Sequence, residues 1–166
     1  MKKIITALFC VTFLIGSTWQ GITSDTPTKT QLKLLYSDIE TSKIEFLIDG
    51  FHLNPVKTPK GDMYLVKLDD GASLLLKGAP DIHKYARSII IPDQAKMEVE
   101  VLSSEFVDYK DVHIAPSKGN LSRLIDPKDV SYTFGDVYQN NEYFPGEIVG
   151  LENPYVLRDL RGQTVV

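Results

Sequence analysis

At 166 residues, 43% of them hydrophobic, the chain has the size of one ordinary domain and points to one core, not two. Its 18 Lys and Arg stand against 22 Asp and Glu for a net charge of −4, or −6 once Lys2 and Lys3 are set aside with a processed leader, a balance that disfavours nucleic acid as a partner. The only cysteine, Cys10, lies in the N-terminal apolar run, so the processed chain holds no thiol for a disulfide, a nucleophile or a metal.

Lys2 and Lys3 open the chain, Ile4 to Gly16 is apolar apart from Thr6 and Thr12, and the small residues Gly16, Ser17 and Thr18 follow. That order reads as a secretory signal peptide, because the apolar run is too short to span a bilayer comfortably. Residues 1–24 are expected to hold the leader and its cleavage region, with the cut between Ser17 and Ser24, since no Ala-x-Ala triplet fixes it. Cys10 lacks the preceding small residues of a lipid-modified cysteine. Export through the Sec pathway to the periplasm is expected, and no second apolar run predicts a membrane span in the mature chain.

Residues 25–30, rich in Thr, Asp and Pro, read as a flexible lead-in, and 31–166 as the folded domain. Period-two alternation dominates beyond that point. Ile44, Phe46 and Ile48 share one face of 43–49, and Met97, Val99 and Val101 one face of 96–101, with charged residues opposite. Further strands are predicted at 32–36, 63–68, 73–76, 88–91 and 155–160. Asp70-Gly71 between 64 and 73 predicts a tight β-hairpin there. Prolines break the chain too often for long helices, so the fold class is all-β, an antiparallel β-sandwich. Two long loops, 115–130 and 135–146, interrupt the short turns and are candidates for function.

Catalytic signals are weak. His52, His83 and His113 fall in separate segments with no pair at metal-binding spacing, so no metal site is predicted. Asp69 and Asp70 are better explained by turn formation than by calcium ligation, and Asn120-Leu121-Ser122 matches a glycosylation sequon. No nucleophile elbow, phosphate-binding loop or zinc pattern is present, so no catalytic residue and no cofactor is assigned. The aromatic group Tyr132, Phe134, Tyr138, Tyr143 and Phe144 reads either as core packing or as an exposed recognition platform. Lys118 and Arg123 stand in a Pro-flanked loop, as solvated charges or as recognition groups.

From Gly78 onward the chain resembles the N-terminal propeptide of gingipain-type cysteine peptidases from Bacteroidetes. The matching blocks are Gly78-Ala79-Pro80-Asp81, Ser88-Ile89-Ile90-Ile91-Pro92 and Ala115-Pro116-Ser117-Lys118-Gly119-Asn120. Tyr132 to Tyr138, Tyr143-Phe144-Pro145-Gly146 and Pro154 to Gln163 follow in the same order. The resemblance implies a β-sandwich prodomain that keeps its own peptidase latent during export to the cell surface or medium and assists its folding. It also implies that Val166 interrupts a longer precursor, with the last prodomain strands and the peptidase domain lying beyond it. The cognate cysteine peptidase domain, in cis or in trans, is then the expected partner. The chain by itself is expected not to be an enzyme.

Within that resemblance, Arg123 is the residue expected to enter an acidic specificity pocket, with Lys118 as the fallback. Asn120, Tyr138 and Tyr143 are candidate partner contacts. The rival reading, a secreted adhesion or carbohydrate-binding β-sandwich, requires Tyr138, Tyr143 and Phe144 to form a flat exposed platform.

Overall fold

Alternating apolar side chains and frequent prolines favour short ladders over helices, and ladders are what the chain forms. The computed structural model describes residues 16–140 and 142–166. In chain order its strands are β1 (Thr18–Gly21), β2 (Gln31–Ser37), β3 (Ser42–Leu47), β4 (Gly50–Thr58) and β5 (Gly61–Lys67), followed by β6 (Ala72–Ser73), β7 (His83–Lys84), β8 (Arg87–Ile90), β9 (Tyr155–Leu157) and β10 (Leu160–Val165). Two 3-10 turns, η1 (Pro127–Asp129) and η2 (Asp136–Tyr138), complete the described residues, which contain no α-helix. The strands pair antiparallel in four sheets, ordered β1-β4-β5, β8-β10-β9, β2-β3 and β6-β7.

The 43–49 alternation becomes β3, paired with β2 from Gln31↔Leu47 to Ser37↔Ser42. Three other predictions differ from what forms. Residues 63–68 pair backward with β4, not forward with 73–76. Thr58 caps that turn, its Oγ1 donating to the Gly61 carbonyl at 2.9 Å and accepting from the Lys60 amide at 3.2 Å. The Asp70-Gly71 turn does form, with the Gly71 amide on the Leu68 carbonyl at 3.3 Å, but it hands the chain to β6, whose partner is β7. The 96–101 alternation forms no ladder among the described residues, and Val99 and Val101 stay 42% and 45% exposed. The single strand predicted at 155–160 is a hairpin, β9-β10, turned at Arg158 with φ 58°.

A proline in the middle of β4 is tolerated for a definite reason. Pro55 faces Tyr64, whose amide and carbonyl both point away from β4, toward His113 and Ala115 at 2.8 and 2.7 Å. The pair is therefore non-hydrogen-bonded, and the donor that Pro55 lacks belongs to no β4–β5 bond. β1 ends its pairing at Leu53, so that bond is not missing on the other side either.

Tyr64's outward groups make β5 the foundation of a second lattice. Residues 114–117 run beside β5, and 78–81 run beside them in turn. Asp81 donates to the Ala115 carbonyl at 2.8 Å, Ser117 to Ala79 at 2.7 Å and Gly78 to Ser117 at 2.9 Å. Ala115 is fully buried, Pro116 nearly so and Ser117 2% exposed, joining Leu53, Met63, Ile91 and Val165 in the core. The predicted loop from residue 115 thus begins with core, and its free part starts only at Lys118.

At the N-terminal end the described residues are built into the fold. Thr18–Gly21, within the expected leader and cleavage region, pairs with β4, and the lead-in is tied down by Asp49. That carboxylate accepts hydrogen bonds from Thr23, from Gln31 at 2.8 Å and from Thr28 at 3.2 Å, which hold it below the usual carboxylate range, Thr23 contributing most.

His83 is half-buried, its Nδ1 3.2 Å from the Leu68 amide and carbonyl, and burial lowers its pKa below 6.5. A lowered folded value means the unfolded chain takes up the proton first, so this histidine favours the fold above pH about 6.5 and loses that contribution as pH falls toward the folded value. His83→Gln is expected to flatten the pH dependence of unfolding midpoints in mildly acidic solution, as denaturant titrations at a series of pH values will show.

Candidate functional site

The described loop from Lys118 to Val130 rises from a rigid base. Below it, Ser117 is held on both sides by the ladder to Ala79 and Gly78, and Gly78, with φ 83°, passes within 3.2 Å of Gly135 at the position a Cβ would take. The Gly78 carbonyl in turn accepts the Gly135 amide at 2.9 Å, which roots the second long loop on the same backbone.

Two devices then close the loop on itself. Lys118 Nζ donates to the Pro127 carbonyl at 2.6 Å and sits 4.3 Å from the centre of the Tyr132 ring, a cation–π contact. Asp126 caps η1 by accepting the Lys128 amide at 2.9 Å. Lys118 therefore joins the start of the loop to its end. Lys118→Met removes both contacts and is expected to speed amide exchange across residues 119–126 by roughly 2- to 5-fold, from the about 0.5–1 kcal/mol of an accessible cation–π pair.

Between these fixed ends the tip is a tight turn. The Ile125 amide donates to the Ser122 carbonyl at 3.0 Å, placing Arg123 and Leu124 at its centre. Leu124 is 96% exposed, and Arg123 and Asn120 are exposed beside it. Among the described residues the Arg123 guanidinium has no hydrogen-bond or ion-pair partner. A cation without a partner among these residues, on a turn braced at both ends, can offer its planar fork of donors to a carboxylate on another surface.

The aromatic group divides. Phe134 and Tyr138 meet edge to face at 5.0 Å, Lys60 lies 4.3 Å from the Phe134 ring centre, and the Tyr138 hydroxyl donates to the Ile114 carbonyl at 2.9 Å. Burial, with Asp81 nearby as the smaller cause, pushes the Tyr138 hydroxyl up to about 12. Tyr138 thus braces the strand of chain that leads into Ala115. Tyr143 is 97% exposed while Tyr138 and Phe144 are half-buried, so the three do not share one exposed flat platform.

Of the residues singled out from sequence, the fold brings Lys118, Asn120 and Arg123 into one braced loop and leaves Tyr138 beneath it and Tyr143 outside it. Sequence reasoning missed the brace itself, the Pro127 carbonyl and the Tyr132 ring. The available signal was the apolar Ile114-Ala115-Pro116 run at the loop's entrance, which marks it as anchored. His52 and His83 line one open cleft, with His52 Nε2 3.0 Å from Asp69, yet no group of three or more His, Cys, Asp or Glu side chains among the described residues is arranged to hold a metal.

Known proteins resemble this chain over most of its length. Gingipain R1 of Porphyromonas gingivalis is 37% identical over 166 residues, covering 99% of this chain and 10% of the relative. Gingipain R2 of the same organism is 39% identical over 135 residues, 81% of this chain and 18% of the relative. The chain therefore spans between a tenth and a fifth of the length of these curated relatives. A solved structure described as a complex of the P. gingivalis RgpB pro- and mature domains superposes with a TM-score of 0.77 at 39% identity, covering 81% of this chain and 71% of that one. A second, concerning zymogenic latency of gingipain K from P. gingivalis, gives a TM-score of 0.70 over 90% of this chain and 84% of that one; at 20% identity it speaks to the fold alone. With the Propeptide_C25 family model matching residues 24–166, the chain belongs to the gingipain-type C25 propeptides.

Proposed function

We propose that this domain is the N-terminal propeptide of an exported gingipain-like cysteine endopeptidase precursor, folds as a β-sandwich, and holds its peptidase latent by seating Arg123 in the specificity pocket. The observation that carries the reading is Arg123, without a partner among the described residues, on a turn whose base is core and whose ends are clasped by Lys118. A braced loop loses little conformational freedom on docking, so more of the gross interaction appears as affinity. A guanidinium entering a desolvated acidic pocket gains paired, charge-assisted hydrogen bonds.

Covalent tethering makes the encounter intramolecular, so moderate intrinsic affinity suffices for latency until a cut in the chain releases the domain. Hydrolysis of the loop is slowed because its backbone is held by the turn and the clasp, away from an extended near-attack geometry. The same docked surface gives the peptidase a template while it folds during export. The route is Sec translocation to the periplasm, then the medium or the cell surface.

Lys118 is assigned to the brace and Arg123 to the pocket, because the Lys118 ammonium is already engaged at 2.6 Å. Titrating the purified domain against the mature peptidase of its own precursor tests the proposal. Stoichiometric, competitive loss of peptide hydrolysis is expected; undiminished hydrolysis at large molar excess, or hydrolysis by the domain alone, refutes it.

A further inference from the structure

The N-terminal segment poses a question that membership of the family leaves open. Two bonds share one local pattern: Ser17–Thr18 and Ser24–Asp25 both have Ser immediately before the cut and Ile, at 15 or 22, two residues earlier. A cut after Gly21 would put the bulky Trp19 where a small side chain is preferred. The two bonds differ in what a cut leaves behind.

Thr18 to Gly21 is built into the domain. It pairs residue for residue with β4, Thr18↔Leu53 through Gly21↔Gly50, and the ladder continues as the Ile22 and Thr23 amides donate to the Asp49 carbonyl at 2.8 and 3.1 Å. Thr18 Oγ1 reaches the Leu53 carbonyl at 3.4 Å. The Trp19 indole packs edge to face on His52 at 5.1 Å and donates from Nε1 to the Ser24 carbonyl at 2.9 Å. Tyr109, far along the chain, donates to the Gly21 carbonyl at 3.4 Å.

Gly50 shows that β4 is shaped for this strand. A Cβ there would lie 2.3 Å from Trp19 Cζ2 and 2.5 Å from the Gln20 carbonyl oxygen, so only glycine admits β1 and its indole. A cut after Ser24 would discard the indole, uncover the edge of β4 and leave Gly50 facing an empty seat. Among the described residues, the hydrogen bond lost in a cut after Ser17 is the exposed contact of Ser17 Oγ with His52 at 3.3 Å.

We infer that the leader is removed at the Ser17–Thr18 bond, so that β1 with Trp19 is the first element of the mature domain. One water adds across the bond: Ser17 leaves with the leader as a carboxylate, and Thr18 keeps its nitrogen as a free ammonium. This inference rests on the reading of residues 1–17 as an export leader.

Trp19 is the only tryptophan in the chain, which makes the outcome easy to read. The full chain is exported by a Gram-negative host, recovered from the periplasm, and analysed by N-terminal sequencing, intact mass and near-ultraviolet absorbance. Thr18 as first residue, with tryptophan absorbance retained, is expected. A start at Asp25, or anywhere from Trp19 to Ser24, overturns the inference while leaving the export reading standing. An intact Met1 overturns the leader reading itself.

Discussion

Replacing Arg123 with Ala is expected to raise the inhibition constant of the isolated domain by roughly 30-fold to a few thousand-fold, the about 2–5 kcal/mol lost when one member of a buried, hydrogen-bonded charge pair is truncated. Much of that loss is the cost of leaving the pocket carboxylate desolvated without a partner. Arg123→Lys should recover only part of the affinity, because a single ammonium cannot reproduce the planar two-point contact. The unfolding free energy should move by no more than about 0.5 kcal/mol, since the exposed guanidinium makes no hydrogen bond or ion pair with a described residue and surface changes of this kind are nearly neutral. Inhibition titrations and denaturant melts on the same preparations separate the two quantities. Unchanged inhibition with an unchanged melt removes Arg123 from the pocket.

The second large effect is on stability. Leu53→Ala is expected to cost about 2–5 kcal/mol, the range for emptying a leucine-sized space in a packed core. Leu53 is 5% exposed at the middle of β4, where β1 and β5 both pair with it, opposite Thr18 and Val66. The identical truncation at Leu124, 96% exposed at the loop tip, should shift stability by less than about 0.5 kcal/mol. Equal losses at the two sites would mean that the tip packs within the domain and is not free to dock.

Much of this arrangement is legible in the order of residues alone. The 43–49 alternation marks β3, and the prolines mark a chain without long helices. The ordered blocks from Gly78 onward carry the family resemblance, and its Pro-flanked position makes Arg123 a candidate. Partner choice is not legible in the same way. Period-two alternation says that a segment suits a pleated surface, not which strand lies beside it. The Asp70-Gly71 signal is real as a turn, yet β5 pairs with β4 because Thr58 organises the preceding turn and 114–117 occupies β5's other edge. The burial of Ala115 and the engagement of Lys118 by Pro127 and Tyr132 arise from contacts across the fold. In 96–101 the same alternation as in 43–49 stands without a ladder, so the pattern alone does not distinguish a paired strand from an extended run.

The assignment of roles within the loop follows from one contrast. Lys118 and Arg123 carry the same charge five positions apart, but the fold engages the first and gives the second no hydrogen-bond or ion-pair partner among the described residues. By sequence Arg123 is preferred with Lys118 as the fallback, and the bracing contact adds a second, independent reason for that order.

Amide hydrogen exchange of the domain, alone and with its mature peptidase, tests the central claim most directly. Protection appearing across Leu121 to Ile125 on complex formation is the predicted result. Exchange in that turn unaffected by a saturating partner, with protection confined to surfaces such as that around Tyr143, would contradict it.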